Sequence, residues 1–295
     1  MTSPSGITAA PPTRKPTDDE LDVYGLTHPG KLRKTNQDHF LICSLKKQML
    51  VHLTSLSGLE EMPVLAERLA FLAAVADGVG GSAGGETASR VAVNAVTRYI
   101  AESMQCYYAS HGESDDIFLA SLQDAAARCH EELLTLGRDQ PDLEGLATTL
   151  TLWLGVWPRA YLLQVGDSRC YLLRHGELTQ LSRDQTMAQE LVDAGVLARA
   201  EASRTRWAHT LSSAIGGRQA APTVTRLDQE WGNVGLLCSD GLTRHVSDQR
   251  IGDRLRAMTS ARQVCEDLLQ DALDGGGEDN ITILVGRTVR KHAED

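Results

Sequence analysis

Aspartate recurs where short apolar runs begin or end in this chain, and that placement limits what the chain can fold into. Val75-Ala76 leads into Asp77-Gly78, Val165-Gly166 into Asp167-Ser168, and Cys238-Ser239 into Asp240-Gly241. Asp279, in Glu278-Asp279-Asn280-Ile281, and Asp38, in Asn36-Gln37-Asp38, stand just before such runs. Taken singly, an Asp-Gly step is a turn whose carboxylate bonds its own backbone. Five such residues at strand ends can converge on one rim of a sheet assembly. Carboxylates gathered there repel one another and must be separated, protonated or neutralised by cations. A cluster of oxygen donors suits hard ions, Mg2+ or Mn2+. The six cysteines include no Cys-x-x-Cys pair and the nine histidines form no His-Glu-x-x-His pair, which weighs against zinc.

The apolar runs predict strands at His39–Leu45, Met49–Leu53, Leu69–Ala76, Thr148–Val156, Ala160–Val165, Cys170–Leu173 and Ile281–Gly286, with Arg174-His175-Gly176-Glu177 as a hairpin turn. Helical spacing appears in Ala88, Val91, Ala92, Ala95 and Tyr99. It recurs in Phe118, Leu122, Ala125, Cys129, Leu133 and Leu136, and again in Ile251, Leu255 and Met258. Two long helices between strands, followed by a run of strands, fit an α+β sandwich better than an alternating βαβ fold. Residues 1–19 carry Pro4, Pro11, Pro12 and Pro16 among polar residues and read as a disordered tail. Residues 20–290 read as a single domain and 291–295 as a C-terminal tail.

With 42% hydrophobic residues in 295, the chain can build one large core or two modest ones. A net charge of -10 without a dense Lys/Arg run gives no support for nucleic-acid binding. The longest apolar run, Leu69–Ala76, is far too short to span a bilayer, so no membrane partner is expected. Scattered cysteines inside apolar stretches read as reduced, buried thiols, and the chain as a cytoplasmic monomer.

The glycine cluster from Gly78 to Gly85 follows a strand and precedes a helix, as a dinucleotide-binding turn does. Asp77 at its mouth would repel a pyrophosphate, and no second strand ending in an acidic residue follows at the expected distance. A backbone carbonyl freed by glycine and aimed at a metal explains the same residues better. Arg33, five residues before Asp38, is a candidate bidentate clamp for phosphate oxygens beside such a site.

Taken in order, these motifs resemble the metal-dependent serine/threonine protein phosphatase family, type 2C, in its bacterial form. The matching stretches are Arg33…Asn36-Gln37-Asp38, Asp77-Gly78-Val79-Gly80-Gly81, Ala147-Thr148-Thr149, Gly166-Asp167-Ser168-Arg169, Leu178 to Thr186, Ser239-Asp240-Gly241-Leu242 and Asp279-Asn280-Ile281-Thr282. The resemblance covers Tyr24 to Arg287. It implies two central antiparallel β-sheets forming a sandwich flanked by helices, with two Mn2+ or Mg2+ ions at one end. Asp77 would bridge the ions, Gly78 would offer its carbonyl, Asp240 and Asp279 would complete the site, and Asp38 would act through bound water. Asp167 and Asp240 correspond to a third-metal position, and Arg33 would hold the substrate phosphate. The implied reaction is direct attack of an activated water on phosphoserine or phosphothreonine in proteins that a serine/threonine kinase has modified. The catalytic set would then be Arg33, Asp38, Asp77 and Asp240.

The chain departs from the family pattern at Val79, where some eukaryotic members carry a histidine proposed as general acid. It departs again at Ala147, in place of a glycine, and in the longer segment Ser44–Arg68. Met187–Ala208 is the candidate flap over the cleft. Two other readings remain open from sequence: a catalytically silent module that binds phosphoproteins, and a nucleotide-binding protein that uses the glycine loop.

Overall fold

Apolar residues at every position of a strand mean that both of its faces are buried. The computed structural model, which describes residues 14–48, 66–79, 82–109 and 115–291, shows why this chain needs such strands. Two antiparallel sheets stack face to face and each carries helices on its outer side. One sheet has the order β2 (Asp38–Gln48), β3 (Ala66–Val79), β5 (Leu150–Val156), β6 (Arg159–Val165), β9 (Thr223–Asp228), with the short β4 (Ala147–Thr148) beside β3. The other has the order β1 (Leu21–His28), β11 (Ile281–Thr288), β10 (Val234–Cys238), β7 (Arg169–Arg174), β8 (Glu177–Gln180). Among the described residues every pairing is antiparallel, so the expected α+β sandwich is what forms and no parallel βαβ unit of a dinucleotide fold is present there.

Strand parity assigns the layers. Leu72 and Ala74 face α1 (Ser82–Ala109) and α2 (Asp115–Asp139), joining Ala88, Ala92, Phe118 and Leu122. Ala73 and Val75 face the opposite way, meeting Leu237, Leu284 and Cys170 of the second sheet. That sheet turns Leu236, Cys238, Ile281 and Ile283 outward onto α6 (Asp248–Arg256) and α7 (Ala261–Asp274). The remaining helices are short: α3 (Met187–Asp193), α4 (Arg199–Ala202) and α5 (Asp240–Thr243). The predicted 174–177 turn forms with φ of 51° at His175 and 81° at Gly176, the doubly left-handed pair that closes a two-residue hairpin.

Three differences from the sequence reading have physical causes. Strands β1, β8, β9 and β10 are missing from the predicted set, β8 being implied only by the turn that precedes it. β1 and β10 carry Gly25 and Gly235 within short runs, and β9 is an edge strand with mostly exposed residues. Helix α7 went unread although Val264, Cys265, Leu268 and Ala272 share one buried face. Residues Arg14–Asp19, assigned to the tail, pack onto the domain: Arg14 pairs with Glu20, Lys15 donates to the Arg68 carbonyl and Arg68 pairs with Asp18. The expected Met49–Leu53 strand and most of the Ser44–Arg68 insertion lie outside the described residues. Among the described residues, no helix is long and apolar enough to cross a membrane.

Candidate metal centre

The parity that buries Ala73 and Val75 between the sheets carries Asp77 to the same gap at its open end. On the neighbouring strand Ile42 and Phe40 face that gap, and two residues further lies Asp38. Asp38 and Asp77 are direct cross-strand partners. Like charges so placed are unfavourable on their own.

The Thr148-Thr149 step holds Asp77 by its backbone. The Thr149 amide and the Thr148 hydroxyl donate to the Asp77 carbonyl at 2.9 and 2.8 Å, and the Asp77 amide donates to Thr149 Oγ1 at 3.0 Å. Thr149 Oγ1 also meets Ser168 Oγ at 2.7 Å, which ties the β3 end to the turn that carries Asp167. Ala147, the departure from the family's glycine, sits opposite Val79 in the β3–β4 register. Gly78 is required by space: a Cβ there would lie 2.2 Å from the Gly85 carbonyl oxygen.

The second sheet supplies Asp240, first residue of α5 after β10, and Asp279, just before β11. Gly241 lets the two approach, since a Cβ at that position would lie 2.0 Å from the Asn280 carbonyl oxygen. Asn280 accepts from the Gln37 amide at 2.8 Å and donates to the Pro29 and Thr35 carbonyls, so it shapes the loop that bears Arg33. Ser239 and Thr282 each donate to Asp38 Oδ2 at 2.7 Å, linking the sheets across the gap.

All five aspartates therefore reach one rim, four from strand ends of two different sheets and Asp167 from the β6–β7 turn. Burial raises the Asp38 carboxyl to about 6, with Asp240 and Asp279 adding repulsion. Burial and then the negative charges of Asp38, Asp240, Asp167 and Asp279 push Asp77 well above the carboxylate range. Asp167 is also pushed well up, by burial and by Asp240, and Asp240 is raised by burial against the opposing pull of Arg244. Such a set calls for cations. Its donors are hard oxygens, and buried Asp38 Oδ1 has no hydrogen-bond partner, so the residues fit divalent ions of the Mg2+ or Mn2+ kind.

Two side chains at this rim escaped the sequence reading. Arg244, one helical turn after Asp240, bonds the Asp240 carboxylate and reaches Asp279 Oδ2 at 3.0 Å. His209, returned from the flap, joins Asp167 and Asp240 with ligand atoms all within 4.8 Å of one another. His209 stands beside the oxygen donors and was not read from sequence, because no spacing motif marks a residue contributed from a distant loop. Arg33 is at the rim but grips Asp279, Nε to Oδ1 and Nη2 to Oδ2 both at 2.8 Å. Val79 is exposed beside the site.

A family model described as Protein phosphatase 2C matches residues 64–275. The serine/threonine protein phosphatase PstP of Mycobacterium tuberculosis is 38% identical over 219 residues, 74% of this chain and 40% of that protein. The chain thus spans less than half the length of that relative. The serine/threonine phosphatase stp of Listeria welshimeri is 30% identical over 213 residues, 72% of this chain and 82% of that protein. Among solved structures, PstP of M. tuberculosis superposes with a TM-score of 0.72 at 32% identity, covering 92% of this chain and 99% of that one. The PstP catalytic domain in complex with two manganese ions gives 0.69 at 33%, with the same coverage. The ordered motifs, the double-sheet fold and the match over most of its length agree: the chain belongs to the protein phosphatase 2C family.

Proposed function

We propose that the chain is a metal-dependent serine/threonine protein phosphatase, acting on proteins that a serine/threonine kinase has modified. The observation that carries this reading is the convergence of Asp38, Asp77, Asp167, Asp240 and Asp279 from both sheets onto one rim beside Arg33. In this reading Asp77, the Gly78 carbonyl, Asp240 and Asp279 hold two ions, with Asp38 acting through water. Asp167 and Asp240, joined by His209, offer a third position. Bound divalent ions supply Lewis acidity, which acidifies water and screens the charge on phosphate.

The side chains do the rest. Asp38, with Oδ2 fixed by Ser239 and Thr282, has Oδ1 free to orient the attacking water and accept its proton. Arg33, half exposed at the mouth, exchanges its two bonds to Asp279 for equatorial phosphate oxygens as a bidentate donor. As the new bond forms, the P–O bond to the serine or threonine oxygen breaks. Val79 offers no proton, so the leaving alkoxide takes one from water. The buried, unbridged thiols of Cys129, Cys170, Cys238 and Cys265 support a reducing, cytoplasmic setting.

Hydrolysis of an aryl phosphate, with and without Mn2+, tests the proposal in wild type and Asp240→Asn. Turnover that requires Mn2+ and falls at least ~100-fold in the variant is expected. Phosphopeptide binding without any turnover by wild type would instead make the fold a silent binding module.

A further inference from the structure

Most arginines described in this acidic protein are matched to carboxylates. Arg169 pairs with Asp184, Arg183 with Asp193, Arg250 and Arg254 with Asp271, and Arg287 with Asp22. Arg90, Arg138, Arg218 and Arg290 stand singly without a carboxylate partner among the described residues, and the flap is where three such arginines fall together. Its ends are pinned: Thr186 bridges to Leu211, and the Met187 and Ala188 amides donate to the Thr210 and Trp207 carbonyls. Its first acids, Glu190 and Asp193, are both held by Arg183. Beyond them Arg199, Arg204 and Arg206 are exposed, and among the described residues no carboxylate lies within ion-pair distance of any of the three. Glu201 is the one acidic residue between Arg199 and Arg206, so this stretch is positive in a chain of net charge -10.

The stretch meets the cleft through Arg199, while Arg204 and Arg206 stand on the flap outside its lining. Arg199 and Ala202 line a cleft of about 1120 Å3 together with His209, Arg244, Asp167 and Asp240, so it borders the space beside the carboxylate rim. The Arg206 guanidinium lies 4.3 Å from the Trp207 ring centre, a cation–π contact at the anchored base of the flap. A peptide whose phosphate reaches the rim must run its neighbouring residues past this flap. Guanidinium groups left without carboxylate partners, within a Debye length of that path, attract anions and repel cations.

We propose that the Arg199–Arg206 segment selects phosphopeptides that carry further negative charge, carboxylate or phosphate, within a few residues of the phosphorylated position. This deepens the phosphatase reading and rests on it for the seating of the target phosphate.

The test uses the full chain and fluorescent phosphoserine peptides in four versions: glutamate flanks, a second phosphoserine, neutral flanks and lysine flanks. Affinity is read by anisotropy in wild type and in Arg199→Gln/Arg204→Gln/Arg206→Gln, with Mn2+ turnover of an aryl phosphate measured in parallel. Wild type is expected to bind the glutamate and doubly phosphorylated peptides roughly tenfold more tightly than the neutral one, and lysine flanks more weakly still. The triple variant should bind all four alike and keep its aryl phosphate turnover, and the wild-type preference should fade at about 0.5 M salt. A gain confined to one anionic peptide identifies carboxylate or phosphate as the source recognised. Equal wild-type affinity for all four overturns the inference and leaves the phosphatase reading intact. So does a variant that loses the same factor on every peptide. A wild type without turnover that still prefers anionic flanks sinks the phosphatase reading and leaves the flap's selectivity standing.

Discussion

Asp38 is held by two hydroxyls on one oxygen and by nothing on the other, and this asymmetry makes its charge state measurable. Its folded carboxyl titrates at about 6, against roughly 3.9 in an unfolded chain. Between those values the folded protein keeps a proton that the unfolded one has lost, so this group's contribution to stability falls as pH rises and is gone above pH 6. In chelator, Asp38→Asn should therefore gain on wild type by about 2–3 kcal/mol between pH 4 and pH 7.5. The change with pH, followed by urea denaturation, is the quantity to read, because the new amide adds a constant cost of its own. A difference that stays flat across this range would mean that Asp38 is ionised in the fold. Arg244 is the other informative residue. Its guanidinium bonds Asp240 and Asp279, oxygens that the proposed ions would share. Arg244→Gln removes a competing cation and is expected to tighten Mn2+ binding roughly tenfold by calorimetry while lowering the melting temperature of the metal-free protein. Unchanged affinity would show that guanidinium and ion do not compete.

At the scale of elements, the junction of β3 with α1 carries the tightest demand. The Gly78 amide donates to the Gln37 carbonyl at 3.2 Å, and an added methyl would meet both that oxygen and the Gly85 carbonyl. Gly78→Ala should cost about 2–4 kcal/mol, seen as a lower denaturation midpoint, because backbone on two sides has to move. Gly195→Ala on the flap meets nothing within 4 Å and pays only for its φ of 70°, about 1 kcal/mol. Similar losses for the two would show that the junction yields to an added methyl. The same contrast explains what sequence can disclose. β3 was legible because apolar residues on both faces have only one explanation, burial between helices and a second sheet. β9 was not, since Thr223, Thr225, Arg226 and Asp228 are exposed along a sheet edge where polar residues are indifferent to strand or loop. The five aspartates could be read from their positions at run ends. His209 could not, because it arrives through a flap whose path is set by tertiary contacts, whereas Arg244, a helical turn from Asp240, was within reach of a spacing argument.

For the whole molecule, the placement of the carboxylates means that ions bound as proposed would join two sheets. Asp38 and Asp77 belong to one sheet, and Asp240 and Asp279 to the other. Among the described residues, the side chains that bind the sheets together across this end include Ser239 and Thr282 on Asp38, both 2.7 Å, Asn280 on the Gln37 amide and the Thr35 carbonyl, and Asn36 on Thr27. Deeper in the gap, Ala73, Val75, Leu237 and Leu284 pack without help. The rim is thus the end where charge repulsion opposes the sandwich and where bound ions would reverse the sign. One ion at a hundred times its dissociation constant adds about 2.7 kcal/mol to stability, worth roughly 5–10 °C in melting temperature for a domain of this size. Mn2+ titration of the metal-free protein should show at least that rise. Hydrogen exchange should slow at 36–38, 77–79, 239–241 and 279–281 in both sheets together, with α2 and β6 little changed. Protection that appeared in one sheet alone would mean that the ions sit on that sheet and do not bridge the gap. A melting temperature indifferent to Mn2+ would mean that the rim is already neutralised by its own arginines and protons.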